Sequence, residues 1–390
     1  MLGEKGDRVA DSQKPLNTVV LFGTRPEAIK MAPVVLLLRN DPRFRLTVVS
    51  TSQHRQMLDQ VLDLFGIRPD IDLNIMQPNQ TLNQIAESAV HGFRQVLEEL
   101  RPELVLVQGD TTTAFIGALT AFYAAIPVGH IEAGLRTFNL FSPYPEEANR
   151  RMISNVASYH FAPTEGNRQN LLQEGMEDAR IAVTGNTVID ALHWVLQHKP
   201  DQNFVDSLCA RGHRLILVTA HRRENFGAPI RRICSALRAL VESHPDIEVV
   251  YPVHLNQNIQ SPVNEILSGI ERLHLIQPVD YRRLAALLNR SYLILTDSGG
   301  IQEEGPSLGK PVLVMRDETE RPEAVQAGTV RLVGTDLHRI LAETDRLLND
   351  PAVYEEMARA QNPYGDGHAA ERIADYLATA FRLTNHFVPM

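Results

Sequence analysis

The chain has 390 residues, of which 44% are hydrophobic and 22% charged, and a formal net charge of −9 at pH 7. That length allows two full cores, since one core stops growing at roughly 250–300 residues, while the negative balance argues against general nucleic-acid affinity but leaves room for a local phosphate pocket. Cys209 and Cys234 are too few for a disulfide framework or a cysteine-rich metal site and suit a reducing, cytoplasmic address, and no apolar run approaches the ~20 residues of a membrane span.

Taken in chain order, short β-branched runs alternate with longer amphipathic stretches. Residues 1–16 are polar and charged with no apolar stretch, so they read as a disordered tail and not as a secretory signal. Strands are predicted at 18–22, 46–50, 104–108, 128–131, 159–162 and 181–183, with helices such as 81–100 and 112–125 between them. The 81–100 helix spaces Leu82, Ile85, Ala89, Phe93, Val96 and Leu100 by three or four, giving one stripe for burial. A polar, proline-bearing segment at 197–203 is the linker candidate. Beyond it, strands are predicted at 215–219, 248–251, 273–276, 293–296 and 311–314. Such alternation builds parallel sheets covered on both faces. The predicted fold is therefore α/β, with two Rossmann-like domains at 17–197 and 204–367 facing across a cleft that holds the ligand. A last helix near 369–383, within the segment 368–390, is expected to cross back onto the first domain.

Open α/β sheets deliver chemistry at the carboxyl ends of their strands. Gly23-Thr24-Arg25-Pro26-Glu27 ends the first strand and opens a helix, with Pro26 suited to the first turn. Arg25 stands there at a helix N-terminus that already favours an anion, and Lys30 adds a second cation a turn later. The plainer account is a strand-to-helix turn with solvated cations. No G-x-G-x-x-G fingerprint occurs, which counts against NAD or FAD, and no Walker motif is present. Thr296-Asp297-Ser298-Gly299-Gly300-Ile301-Gln302-Glu303-Glu304 repeats the logic in the second domain. Ser298 can cap the helix, the paired glycines admit phosphate oxygens to backbone amides, and Glu304 can accept ribose hydroxyls. A structural glycine turn with a surface glutamate is the alternative.

Three acids follow strands in the first half: Asp110, Glu132 and Glu146, interleaved with Arg136 and Arg150. Together they suggest one pocket for proton transfer on an anionic substrate. Singly, each has a plainer reading. Asp110 can cap the helix that follows it. Glu146 and Arg150, four apart, can be a helical ion pair. Glu132 follows a wholly apolar strand, where an unpaired carboxylate is costly. His221, in His221-Arg222-Arg223-Glu224-Asn225, is a candidate acid, base or phosphate ligand, or a loop histidine beside solvated arginines. His254 has similar placement without a flanking constellation. No metal-ligand spacing accompanies the acids.

These residues resemble one family, the non-hydrolysing UDP-N-acetylglucosamine 2-epimerases of bacteria, over 19–368. The resemblance rests on the motifs above together with Gln53-His54-Arg55-Gln56-Met57, Gly109-Asp110-Thr111-Thr112-Thr113, Glu132-Ala133-Gly134-Leu135-Arg136 and Pro145-Glu146-Glu147-Ala148-Asn149-Arg150. It implies the glycosyltransferase-B arrangement of the two domains, a homodimer, and neither metal nor nicotinamide. It gives Asp110, Glu132, Glu146 and His221 essential roles near the sugar and Arg150 a supporting one. Arg25, Ser298, Gly299, Gly300 and Glu304 match positions that hold UDP, and Arg321 lies in a further motif close to them. Gln53, Gln56 and His254, with Glu147 less securely placed, match an allosteric site for a second UDP-N-acetylglucosamine. Where this chain has Thr219-Ala220-His221, some relatives have glycine before the histidine.

The implied reaction inverts C2 without oxidation, converting UDP-N-acetylglucosamine reversibly to UDP-N-acetylmannosamine for cell-surface polysaccharide. UDP and a 2-acetamidoglucal form by elimination and then recombine. The C2 proton is weakly acidic, so two acid/base groups on different faces are needed, with pKa values pushed apart. The expected ligands are the two UDP-sugars and UDP, with no cofactor, nucleic acid or membrane. A hydrolysing relative, a glycosyltransferase of the same fold and a silent sugar-nucleotide sensor are the competing readings.

Overall fold

In the computed structural model the described residues are 14–51, 55–75, 80–209 and 212–383. Two wholly parallel sheets organise them. The first contains β1 (Leu16–Phe22), β2 (Phe44–Ser50), β3 (Ile71–Asp72), β4 (Leu104–Gln108), β5 (Val128–Ile131), β6 (Tyr159–Ala162) and β7 (Ile181–Val183), in the order β3-β2-β1-β4-β5-β6-β7. The second contains β8 (Arg214–Thr219), β9 (Ile247–Pro252), β10 (Leu273–Ile276), β11 (Leu293–Thr296), β12 (Val312–Val314) and β13 (Val330–Leu332), in the order β10-β9-β8-β11-β12-β13. Both are doubly wound α/β sheets of the Rossmann type. The two-residue β3 and the three-residue β13 are additions to the sequence reading, too short to show a period. β1 begins at Leu16, inside the stretch read as a tail.

Each sheet reverses its winding once, between β1 and β4 in the first and between β8 and β11 in the second. Adjacent strands diverge at such a switch point and leave a crevice at their carboxyl ends. The register there pairs Val20 with Leu106, and Thr219 with Thr296. Arg25 and Asp110 thus leave one crevice, and His221 and Ser298 leave the other.

Local chemistry explains the supporting helices. The helix Leu82–Leu100 opens on a capping box between Thr81 and Gln84 and buries Ile85, Ala89, Phe93, Val96 and Leu97. Leu82, placed in the stripe by spacing alone, sits in the first turn and is exposed. The linker segment at 197–203 begins in the helix Thr187–His198 and ends in the helix Gln202–Asp206, leaving 199–201 as the non-helical joint. The helix Thr187–His198 packs on Arg25–Asn40 of the first half and on Tyr281–Arg290 and Ile301–Ser307 of the second. Val188, Leu192 and Val195 join Ala285, Leu288, Ile373 and Leu377 in one apolar cluster spanning both halves. The last helix, Ala369–Ala380, lies against Arg25–Asn40 and Thr187–His198. No helix among the described residues is long and apolar enough to cross a membrane.

Candidate active site

A cavity of about 580 Å³ opens at the β1/β4 crevice. Thr24, Arg25, Glu27, Lys30, Gln108, Asp110, Glu132 and Glu146 are among the residues that wall it. All three acids singled out in the first half therefore share one space.

Its frame begins with Glu27, which the motif reading passed over. Glu27 is buried and accepts hydrogen bonds from the Gly23 and Thr24 N–H groups at 3.1 and 2.8 Å, and from the Thr111 hydroxyl at 2.6 Å. It ties the turn after β1 to the turn after β4, fixing Arg25 relative to Asp110. The sequence signal was the three-residue spacing of Thr24 and Glu27.

Asp110 does not cap the helix after β4; Thr111 does, accepting from the Ala114 N–H. The Asp110 carboxylate receives Nε and Nη2 of Arg150 at 2.9 and 2.5 Å. Burial nevertheless raises its pKa, and the Arg150 charge only partly offsets this. Arg150 pairs with Asp110 and Glu147 rather than with Glu146. Glu146 instead lines the cavity with Oε2 buried and without a hydrogen-bond partner among the described residues.

Glu132 adopts a φ of +64°, a left-handed conformation that costs a non-glycine residue free energy and recurs where a side chain must be aimed. Its Oε1 lies 2.5 Å from Lys30 Nζ and 3.0 Å from Asn186 Nδ2, and its Oε2 accepts from Gln108. Burial alone would raise the Glu132 pKa, but Lys30, Arg321 and Asn186 outweigh it and hold it below the usual value. Lys30, expected as a cation for the substrate, is thus engaged with an acid. Asp110 and Glu132 share one cavity with pKa values shifted in opposite directions, the arrangement that separates a proton donor from a base.

The second half meets this site through its own charges. Glu303 Oε2 accepts from Asn186 Nδ2 at 2.7 Å, and its Oε1 accepts from Arg321 Nε. Arg321 is buried in that pair. Glu304 is also buried, receives the Tyr281 hydroxyl at 2.7 Å, and is pushed by burial to a pKa of about 7, with Lys30 and Arg25 among the charges opposing the shift. It is an interior carboxyl, not the surface glutamate of the plainer reading.

Ser298 is not the cap of the helix Ile301–Ser307. Gly300 occupies that position, and the Ser298 N–H donates to Thr296 Oγ1 at 2.9 Å. Gly299 packs beside Arg222, Glu320 and Arg321, where an added Cβ would meet Glu320 Oε1 at 3.3 Å. Buried Asp297 organises the neighbouring loop by accepting from the His221 and Arg222 N–H groups, both at 2.8 Å, and from Asn225 Nδ2 at 2.9 Å. The His221 ring stacks on His254 with centroids 5.7 Å apart. Burial lowers the His221 pKa against the pull of Asp297, and His254 lowers it further. The ring stands at the β8 end and is not among the residues walling the β1/β4 cavity.

Of the remaining candidates, Gln53 and the side chain of Gln56 lie outside the described residues. Glu147 is buried, accepting from the Thr137 and Phe138 N–H groups and pairing with Arg150. Among the described residues no cluster of three or more His, Cys, Asp or Glu side chains could hold a metal ion.

Fold and site together define an α/β protein of two Rossmann-like domains with a carboxylate-lined cavity at the carboxyl ends of the first sheet. The family described as UDP-N-acetylglucosamine 2-epimerase matches residues 37–378. The chain is 56% identical over 369 residues to the UDP-N-acetylglucosamine 2-epimerase of Yersinia pestis, covering 92% of this chain and 97% of that one. It is 52% identical to that of Campylobacter jejuni, with 92% and 96% covered. The Neisseria meningitidis enzyme, solved bound to UDP-GlcNAc, superposes with a TM-score of 0.85 at 49% identity, covering 93% of this chain and all of that one. A glycosyltransferase of kitacinnamycin, 14% identical with a TM-score of 0.63, shares the fold alone. The chain belongs to the UDP-N-acetylglucosamine 2-epimerase family.

Proposed function

We propose that the chain interconverts UDP-N-acetylglucosamine and UDP-N-acetylmannosamine by the non-hydrolysing route. A carboxylate removes the C2 proton as the C1–O bond to the UDP β-phosphate breaks, giving 2-acetamidoglucal and UDP. A second group returns a proton to C2 from the opposite face, and UDP adds back at C1. The observation that carries this reading is the common cavity of Asp110, Glu132 and Glu146, beside Arg25. Glu132, held ionised, is the base for one face; Asp110, which keeps its proton more readily, is the donor for the other. Glu146, which lines the cavity and whose Oε2 has no hydrogen-bond partner among the described residues, is the third group available to the sugar. Arg25, the Ser298–Gly300 turn, Glu304 and Arg321 hold the UDP moiety, and His221 stands beside the departing pyrophosphate. Charge growing on that leaving group favours fixed cations and dipoles over water.

A homodimer, a cytoplasmic setting and supply of N-acetylmannosamine for surface polysaccharide belong to the same proposal. So does an activating second UDP-N-acetylglucosamine near exposed His254, with Glu147 acting by holding its loop rather than by touching ligand. The test is incubation with UDP-N-acetylglucosamine in D2O, followed by NMR at C2. Deuterium at C2 in UDP-N-acetylmannosamine is expected, with Asp110→Asn, Glu132→Gln and Glu146→Gln each losing at least ~100-fold in turnover. Free sugar and UDP as the only products would establish the hydrolysing alternative, and no deuterium uptake would remove C2 deprotonation altogether.

A further inference from the structure

Asn186 belongs to none of the motifs above, yet it occupies the point where the two halves exchange charge. It is buried, at 3% exposure, and caps the helix Thr187–His198 through Oδ1, which accepts the Val188 N–H at 3.2 Å. Its backbone N–H donates to the Tyr364 carbonyl at 2.7 Å. Those bonds immobilise the residue and leave its amide NH2 with two hydrogens to place. One goes to Glu132 Oε1 at 3.0 Å and the other to Glu303 Oε2 at 2.7 Å. The acceptors come from different halves of the fold, Glu132 after β5 and Glu303 in the helix after β11.

Two carboxylates drawn toward one point repel each other unless donors stand between them. Lys30 serves Glu132 from one side and Arg321 serves Glu303 from the other. Asn186 is the neutral group between the two acids. An amide can only donate through its nitrogen, so it favours the ionised form of both neighbours and fixes which oxygen of each faces the bridge. A carboxylate or a hydrogen at that place would do neither.

We propose that Asn186 is a positioning residue for the epimerisation: its amide, shared between Glu132 and Glu303, holds the Glu132 carboxylate aimed at C2 and couples that aim to the docking of the Glu303-bearing half. This rests on the reading of Glu132 as an acid/base group. It adds that the competence of that group is set from the nucleotide-binding half, through a residue that need not touch the sugar.

The test uses Asn186→Asp, which keeps the size and the helix cap but turns the donor into an acceptor, and Asn186→Ala, which removes the donor together with the cap and adds no charge. The readouts are kcat, KM and the acid limb of the kcat profile, with UDP binding by calorimetry as the check on folding. We expect Asn186→Asp to lose ~100-fold or more in kcat with KM within about threefold of the parent. Asn186→Ala should lose ~10-fold or more, and in both the acid limb should move to higher pH. Should Asn186→Asp fail to fold, the Asn186→Ala profile decides alone. A profile superimposable on the parent, whether turnover is full or scaled down, overturns the proposal. If Glu132→Gln retains turnover, the acid/base reading itself has failed; if Glu132→Gln is inactive while the Asn186 variants keep the parental profile, only the positioning role has.

Discussion

Lys30 offers the sharpest test of the electrostatics. Its ammonium lies 2.5 Å from Glu132 Oε1, and the two side chains are only 19% and 9% exposed. At an effective dielectric of ~20, unit charges ~4 Å apart attract by about 4 kcal/mol. Deleting one partner of a buried pair typically costs about 3–5 kcal/mol, because the other charge stays behind. In Lys30→Met the Glu132 carboxylate would still be bonded by Asn186 and Gln108, which places the expected loss near ~3 kcal/mol at pH 8.

The pH dependence carries the sign. In the parent, Glu132 is held below its ordinary 4.5, so its contribution is complete above that value and lost as pH falls through the lower folded one. Without the ammonium, burial loses its largest opponent, and the Glu132 pKa is expected to rise above its ordinary value. The variant then gains relative stability on acidification, and the gap between the two proteins should narrow from pH 8 toward pH 4.5. Urea unfolding at several pH values, followed by the fluorescence of Trp194, measures this directly, since Trp194 packs on Phe65 at a centroid distance of 4.9 Å. A gap under ~1 kcal/mol, or one that stays constant with pH, would refute the reasoning.

Two further outcomes are expected. On the proposed role of Glu304 as acceptor for both ribose hydroxyls, its pKa near 7 makes the better-accepting carboxylate scarce in acid, so UDP-N-acetylglucosamine affinity should fall by up to ~10-fold per pH unit below about 7. Calorimetry in the Glu132→Gln background should show this slope, and Glu304→Gln should abolish it; a slope that survives the substitution places the titrating group elsewhere. Gly134 combines a φ of +86° with an Asn167 carbonyl oxygen only 2.2 Å from where a Cβ would stand. Gly134→Ala should therefore destabilise by at least ~2 kcal/mol and disturb the adjoining Glu132, and a melting point within a degree of the parent would contradict that.

The strand–helix alternation, the two-sheet α/β class and the carboxyl-end placement of Arg25, Asp110, Glu132, His221 and Ser298 were legible from periodicity and turn residues, because they depend on neighbours in sequence. So were the options for each acid, but not the choice among them. Asp110 had a helix to cap and Arg150 had Glu146 four residues away, yet the fold paired Asp110 with Arg150 across 40 residues and gave Arg150 Glu147 rather than Glu146 as its helical partner. Ser298 likewise ceded the cap to Gly300. Lys30 looked like a cation awaiting phosphate until β5 brought Glu132 against it.

Chain-local chemistry thus determined which elements form and which residues stand at their ends. It could not determine the charge state of the site, because that depends on side chains 102 residues apart for Lys30 and Glu132, and 117 apart for Asn186 and Glu303. Only the tertiary structure removes these groups from water together, and only there do burial and opposed charges compete to set which carboxyl holds a proton. Glu27, Asn186 and Glu303 gave so little notice in the sequence for the same reason: each acts through bonds that do not exist until the strands and both halves are in place.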